Sequence, residues 1–421
     1  MCFNKLFFYL VCLSIFLSPI VFSAEIEFEI DTTVNVNTVG RAKFLASDTT
    51  LTNNAEISHA FANGDVIQSA ATSGTPLTNL TLINNNGAVI RLGGQKDIVI
   101  DFRHADDSTI INSGLLKTND QMVILLEQTN NITVINNATG RLESERNSIF
   151  CSVGLGACTN PTIINSGVIV VFPQVTCPGC QADKGAIVLD NSTGATIINN
   201  AGGQILTFNA TGNTIGLNDS GTFTNSGLIR ALDADGNLIL SDAAAVIKFN
   251  GTNTTVLLKD EGIVVGTISN SGDNAGSKLQ VQHGYGRSYM YQTLGELELA
   301  DLSGNRIVKG SATAVGMGAQ ETVDELLGLR AYNLRATLKR YADLPNPKAR
   351  MEPFAYASHR DGGRTTLGYD NYAAGANFIY PVVPDKLNLI LTVEHNKLRL
   401  DEGHDVTKNS FLIGVNTNDF M

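Results

Sequence analysis

The rhythm of apolar and polar positions changes along the chain. Residues 6–22 are apolar apart from Ser14, Ser18 and Pro19, and Lys5 is the one charged side chain before Glu25. A short apolar run behind a basic residue, ending in the small residues Ser23 and Ala24, is the order of a secretory signal peptide. Val21 and Ser23 fit the positions flanking a cleavage site, so the mature chain is expected to begin at Ala24. A transmembrane anchor fits less well, because the run is short and broken by Pro19. Cys12 follows Val11, not the small residue that lipid attachment requires.

From about Leu51 one phrase recurs: TLINNNG at 81–87, TIINSG at 109–114, TVINNA at 133–138, TIINSG at 162–167, TIINNA at 196–201, FTNSG at 223–227 and TISNSG at 267–272, with FNG at 249–251 a degenerate copy. Anchored on the Asn before each corner, at 85, 112, 136, 165, 199, 225, 250 and 270, the copies are separated by 27, 24, 29, 34, 26, 25 and 20 residues. That period belongs to solenoids. β-branched residues favour strands, and the Asn-Ser-Gly step supplies a backbone able to take left-handed torsions at a tight corner. Further strand-like runs flank the phrase, such as 98–102, 123–126, 168–170 and 187–189. Three short strands per period and no long helical pattern predict an all-β fold, a parallel β-helix over roughly 45–310, right-handed by the crossover rule. A propeller would need about 40 residues per blade. The Ile side chains before each Asn are expected to point into the rod and stack, and the Asn amides to form a ladder along it.

After Gly310 the texture changes. Residues 321–342 read as a helix, with Val323, Leu326, Leu327, Leu334 and Leu338 apolar, stopped by Pro345 and Pro347. Its length is close to a bilayer's hydrocarbon core, yet Glu321, Asp324, Glu325, Arg330, Arg335, Lys339 and Arg340 forbid it to face lipid. Beyond Met351 the period becomes two. Tyr372, Ala374, Ala376, Phe378 and Tyr380 form one face of a strand; Leu387, Leu389, Leu391 and Val393 another; Phe411, Ile413 and Val415 a third. The link at 381–386 is short, whereas 359–368 and 400–409 are longer and polar. Apolar-out, polar-in strands joined in this way read as an antiparallel outer-membrane barrel, although a soluble antiparallel sheet also alternates.

Composition adds exclusions. Charged residues make up 16%, below the usual quarter, and 29 Lys and Arg against 40 Asp and Glu give a net charge of -11. A basic nucleic-acid surface is therefore not expected. Four cysteines follow the leader, Cys151, Cys158, Cys177 and Cys180, and an exported chain meets an oxidising compartment, so two disulfides are expected. Spacing leaves three connectivities open; the 26 residues from 151 to 177 also allow pairing between neighbouring coils. A redox pair and a four-Cys zinc site are the lesser readings.

Candidate catalytic groups are thin. Asn218, Asp219, Ser220 and Gly221 resemble a serine-nucleophile loop without its first Gly, with His59, His104 and His283 as unsupported candidate bases. Asp233 to Asn237 has the spacing of a partial calcium loop but no later bidentate Glu. His104 with Asp106 and Asp107 reads as a solvated corner, and no column of Asp or Glu is visible along the repeats. The sequence thus offers no catalytic, cofactor or metal residues, and a non-enzyme is expected.

The order of parts resembles a bacterial autotransporter of the monomeric kind, over nearly the whole chain. Its most specific stretches are YMYQTLG at 289–295 with DLSG at 301–304, then MEPFAY at 351–356 and Gly368, Tyr369 and Asp370 leading into Gly375. The resemblance implies a signal peptide (1–23), a β-helix passenger (24–310), a linker helix (311–348) that plugs the pore, and the first strands of a translocator barrel (349–421) in a Gram-negative outer membrane, with lipid as partner. It implies local pairing, Cys151 with Cys158 and Cys177 with Cys180, because a chain threading a narrow pore tolerates only small closed loops. The helix offers only Asn333 where some relatives have an Asn pair for self-cleavage. The expected role is a surface-exposed, noncatalytic scaffold that contacts host cells, matrix or other bacteria; the alternatives are a passenger enzyme, serine hydrolase or glycan-acting, and a nonfunctional truncated remnant. Eight strands are the smallest closed bacterial barrel, whereas 351–421 has room for about four. The chain as given is therefore expected not to export itself, and to stay in the periplasm or be degraded.

Overall fold

The computed structural model describes residues 23–417, apart from 60–63, 94–97, 120, 152–155, 173–184, 190, 209–211, 234–236, 238–244, 271–274, 296, 309–311, 316–317, 343–347, 363–367, 384–385 and 401–404. It divides into two compact units, one reaching to Gln280 with Tyr291–Glu298, the other Val281–Met290 with Leu299 onward.

In the first unit each turn of chain carries three short strands. One coil runs through Thr109–Asn112, a corner, Leu115–Thr118, a bend, Met122–Leu125 and a second corner, and the next begins at Thr133–Asn136. Every strand pairs in parallel with its equivalent one coil on: Thr109 with Thr133, Leu115 with Arg141, Ile124 with Ile149. This is a parallel β-helix. The row from Thr32–Val34 to Thr255–Lys259 makes eight steps, roughly 38 Å at about 4.8 Å per step. Coiling starts earlier than the repeat phrase suggests, since Ser23–Phe28 already pairs in parallel with Thr38–Phe44.

Side chains alternate along each strand, so only one of the two consecutive isoleucines in a repeat can enter the core. Leu82, Ile110, Val134, Ile163 and Ile197 stack inside, no more than 1% exposed. Ile83, Ile111, Ile135, Ile164 and Ile198, next to the Asn, point outward; the expectation that they stack inside is corrected. Each buried Ile or Leu is worth about 1.5–3 kcal/mol.

The Asn side chains do form a ladder. Nδ2 of Asn53 donates to Oδ1 of Asn84 at 2.9 Å, Asn84 to Asn112 at 2.8 Å, Asn112 to Asn136 at 2.8 Å, Asn165 to Asn199 at 2.8 Å and Asn199 to Asn225 at 2.7 Å. The copy at 81–87 enters through Asn84, not Asn85, and the ladder stops where Leu258 pairs with Asn225. Asn250 and Asn270 are not on it, because Ile247–Phe249 and Ile268–Asn270 are strands of another row. A sequence period alone does not say which of three strands a copy occupies.

The two corners work differently. Ser113 and Gly114 are not left-handed; instead a Cβ on Gly114 would lie 2.1 Å from the carbonyl oxygen of Ala88, and one on Gly167 2.2 Å from that of Gly140. Close approach fixes Gly114 and Gly167, whereas Gly87 and Gly202 at the same corner of other coils are left-handed, with φ of 80° and 84°. Left-handed residues recur at the opposite corner: Asp48, Asn79, Asp107, Asn131, Asn160, Gly194, Ser220 and Asn253, joined on two coils by His104 and Gln128. Asn and Asp bear that conformation better than other side chains.

In the second unit the helix spans Gly318–Ala342, longer at its start than expected. Four antiparallel strands follow, Arg350–Arg360, Tyr369–Val383, Leu387–Leu400 and Asp405–Thr417, paired in chain order as an open sheet. They are longer than their apolar faces. The second absorbs Pro381, Val382 and Val383, which shortens that connection further.

Candidate functional site

The four-stranded sheet has two unlike faces, set by the period-two pattern. Tyr372, Phe378, Tyr380, Phe411, Ile413 and Val415 all lie on one face and are exposed, Ile413 by 64%. Met351, Leu389 and Val393 continue that band. The opposite face buries Asn371, Asn377, Asn388, Thr392 and Glu394, with Ile379 and Ile390 as an apolar island. This inverts the pattern of a water-soluble sheet, in which the exposed face is polar.

The helix lies against the polar face through Thr322, Leu326, Arg330, Leu334 and Thr337, whereas Leu327 is half-exposed and not a packing residue. Arg330 Nε meets Glu394 Oε2 at 3.1 Å. Tyr369 donates to Glu325 Oε1 at 2.9 Å, Arg360 ion-pairs with Glu325 and donates to Thr322 Oγ1 at 3.1 Å, and the Arg360 guanidinium stands 5.1 Å from the centre of the Tyr369 ring. Two of the helix charges, Glu325 and Arg330, are thus paired with the polar face of the sheet. Arg330, Asn333, Tyr356, Asn377, Thr392 and Glu394 border a cavity of about 200 Å³ between helix and sheet. No helix of the described residues is long and apolar enough to cross a membrane.

The β-helix contains a carboxylate group that no sequence pattern revealed. Ile67, Ile100 and Ile124 stack in one row, and this brings Asp65, Asp101 and Glu127 together from three successive coils at spacings of 36 and 26. The register still gives no column of acids, since Asp101 pairs with Gln68 and Leu125; what the sequence did not show is that the three carboxylates cluster. Asp101 is buried, ion-paired with Arg103 and hydrogen-bonded to Asp65. Ile98 N donates to Asp65 Oδ1 at 3.0 Å. Burial, aided by the neighbouring Asp101 charge, pushes the Asp65 carboxyl up to about 7. Burial does the same to Glu127, also to about 7, against the pull of Arg103. The three residues differ in their offset from the strand, which hides the cluster from a repeat alignment.

The other candidates are not assembled. Ser220 is a left-handed corner residue whose hydroxyl donates to Asp219 O at 2.8 Å. His104 precedes a strand four coils away from it, roughly 19 Å, and His59 is six coils away, roughly 29 Å. His283 rests edge-on against the Tyr289 ring. Asp106 Oδ1 accepts from Asn130 N at 2.8 Å and Asp107 Oδ1 from Asn131 Nδ2 at 2.9 Å, so both carboxylates brace the corner. Asp233 caps its own turn by accepting from Asn237 N at 2.7 Å, and Asp235 lies outside the described residues. Among the described residues no three His, Cys, Asp or Glu side chains are placed to hold a metal ion. Cys151 and Cys158 form a disulfide with Cα atoms 6.4 Å apart; Cys177 and Cys180 lie outside the described residues.

No family model and no curated protein matches the chain. One solved structure, the Dettilon tailspike protein (gp208), is similar at 8% identity over 90% of this chain and 74% of that one, with a TM-score of 0.26. A likeness of that order carries no argument, and the parallel β-helix rests on the pairing of this chain's own strands.

Proposed function

We propose that the chain is an autotransporter-like cell-surface protein, in which the β-helix is a noncatalytic passenger scaffold and the four strands are part of an outer-membrane barrel that surrounds the helix. The observation that carries this reading is the exposed apolar face of the sheet backed by a polar face and a charged helix. Lipid solvates the first, and the pore interior the second. A leader at 1–23 fits export. A passenger built from stacked coils, with its polar corners bonded to one another, suits display of loops near Cys151 and Cys158 to host cells, matrix or other bacteria.

Expression of the full chain in a Gram-negative host, followed by fractionation and a urea wash of the envelopes, tests the membrane assignment. Envelope-bound chain should resist the wash even though four strands alone close no barrel, because the apolar face still seeks lipid, and Ile413→Lys, which places a charge there at a cost of about 2–4 kcal/mol, should release it; chain left in the periplasm or degraded is the outcome expected if the open sheet cannot insert. Wild-type chain that washes off without detergent overturns the assignment.

A second reading is favoured by the carboxyls of Asp65 and Glu127, held near 7 close to Asp101, since acid and base groups of near-neutral pKa are what glycan hydrolysis needs. Release of reducing sugar from surface polysaccharides, lost in Asp65→Asn with the fold intact, would replace the scaffold by a glycan-acting enzyme.

A further inference from the structure

The corners beside the Asn ladder alternate in length along the rod. Each ladder Asn donates from Nδ2 to a carbonyl of its own corner, two residues on at Asn53, Asn112, Asn165 and Asn225 and four residues on at Asn84, Asn136 and Asn199. The longer corners insert a β-turn, closed by Ala88 N to Asn85 O at 3.0 Å, Gly140 N to Asn137 O at 2.8 Å and Gly203 N to Asn200 O at 2.9 Å. The two central residues of each turn are exposed: Asn86 and Gly87, Ala138 and Thr139, Ala201 and Gly202. Of these three turns the first alone sets an Asn before a Gly. Gly87 takes a φ of 80°, has open space where a Cβ would stand, and its N–H meets no acceptor among the described residues. The Asn86 amide has no hydrogen-bond partner among them either. Comparable steps elsewhere are held. On the short corners Ser113, Ser166 and Ser226 donate their N–H groups to Asn84 O, Asn136 O and Asn199 O at 2.7, 2.8 and 2.8 Å, and the Asn before each is buried. Gly251, after Asn250, is buried, a Cβ on it would lie 2.5 Å from Asp219 N, and its carbonyl accepts from Ser277 Oγ at 3.0 Å. Asn63, before Gly64, lies outside the described residues.

We propose that Asn86 is a site of self-modification, which loses its side-chain amide to water through a cyclic imide formed with Gly87. The Gly87 nitrogen attacks Cγ of Asn86, the Cγ–Nδ2 bond breaks, and ammonia leaves with the Gly87 proton. Water then adds to either carbonyl of the succinimide, so the ring opens to aspartate or to isoaspartate. Nothing is oxidised or reduced, and water is the one reactant from outside. Attack requires the peptide between the two residues to turn and the side chain to approach the nitrogen. A glycine in open space permits both, and groups adjacent on one chain need no encounter. At Ser113, Ser166 and Ser226 the nitrogen is committed to the coil before and the preceding amide to the ladder, so hydrogen bonds must break first. The modified corner gains a negative charge. Its isoaspartate form also adds a backbone atom inside a closed turn, two residues from the ladder rung Asn84.

The test is peptide mapping of the purified full chain, kept folded in detergent at neutral pH and sampled over time, beside the same chain in urea. In the folded chain Asn86 should exchange its amide for a carboxylate about tenfold or more ahead of Asn112, Asn165, Asn225 and Asn250, because no hydrogen bond or packing contact has to be lost first. In urea Asn250, also followed by glycine, should draw level with Asn86. Asn86→Gln, whose longer side chain closes the imide ring less readily, should keep its amide over the period in which the wild type loses it. Retention of the Asn86 amide in the folded chain while the chain in urea loses it overturns the proposal. So does a lag at Asn250 that persists in urea, since the fold then selects nothing. Equal loss in Asn86→Gln also overturns it, because water would then be attacking the amide without the imide.

Discussion

Asn136 donates its side-chain amide to Oδ1 of Asn165 at 2.8 Å while its own Oδ1 accepts from Asn112 at 2.8 Å, so each coil supplies one donor and one acceptor to a buried column. Asn136 also donates to Gly140 O at 3.2 Å, which ties the ladder to the corner. An amide taken from the middle leaves both neighbours unmatched in an apolar interior. Asn136→Ala is expected to cost about 2–4 kcal/mol, the sum of two unmet groups. Asn225→Leu should cost less, because Leu258 already occupies the next rung. Urea midpoints of the two variants check the order.

Gly167 sits where a Cβ would press on Gly140 O at 2.2 Å and Asn137 O at 2.4 Å, both backbone atoms that cannot step aside. Gly167→Ala should destabilise by about 1–3 kcal/mol or prevent folding. Gly74→Ala, with nothing within 4 Å of the added carbon, should be neutral or slightly stabilising. Thermal unfolding of the pair separates close approach from chain entropy.

The carboxyls of Asp65 and Glu127 stand near 7 in the folded chain, above their usual values of 3.8 and 4.5. Between those limits the folded state binds more protons than the unfolded one, so stability falls as pH rises. The loss begins above about 4 and is complete above about 7. Urea midpoints should therefore decline from pH 5 to pH 8. Asp65→Asn and Glu127→Gln should each flatten the decline; a wild type that grows more stable over that range contradicts the burial of these groups.

The Cys151–Cys158 bridge closes a loop with a sequence separation of 7. Chain entropy gives such a loop about 2–3 kcal/mol of stabilisation. Cys151→Ser with Cys158→Ser should lower the unfolding midpoint accordingly while leaving the coils paired. Peptide mapping without reduction should recover 151 joined to 158; a link from 151 to 177 would mean that the bridge ties neighbouring coils.

Much of the architecture is local and so was written in the sequence. β-branched residues two before an Asn, at a period near 26, demand stacked strands whatever the rest of the chain does. The switch to period two beyond Met351 likewise fixes two unlike faces, because side chains on a strand alternate without help from tertiary contacts. Tyr372, Phe411 and Ile413 could be assigned to one apolar face on that ground alone.

Position along the rod was decided only by the fold. Loops of unequal length between rows change the spacing of equivalent residues from 24 to 34 within the ladder itself, so a residue's row is set by which neighbour its backbone pairs with. That is why Asn250 and Asn270 left the ladder, why Ile111 points out while Ile110 points in, and why Asp65, Asp101 and Glu127 met without sharing a motif. The raised pKa values of Asp65 and Glu127 are tertiary for the same reason: both carboxyls are shifted by burial among coils that are distant in sequence, and the strand-by-strand register determines which coils those are.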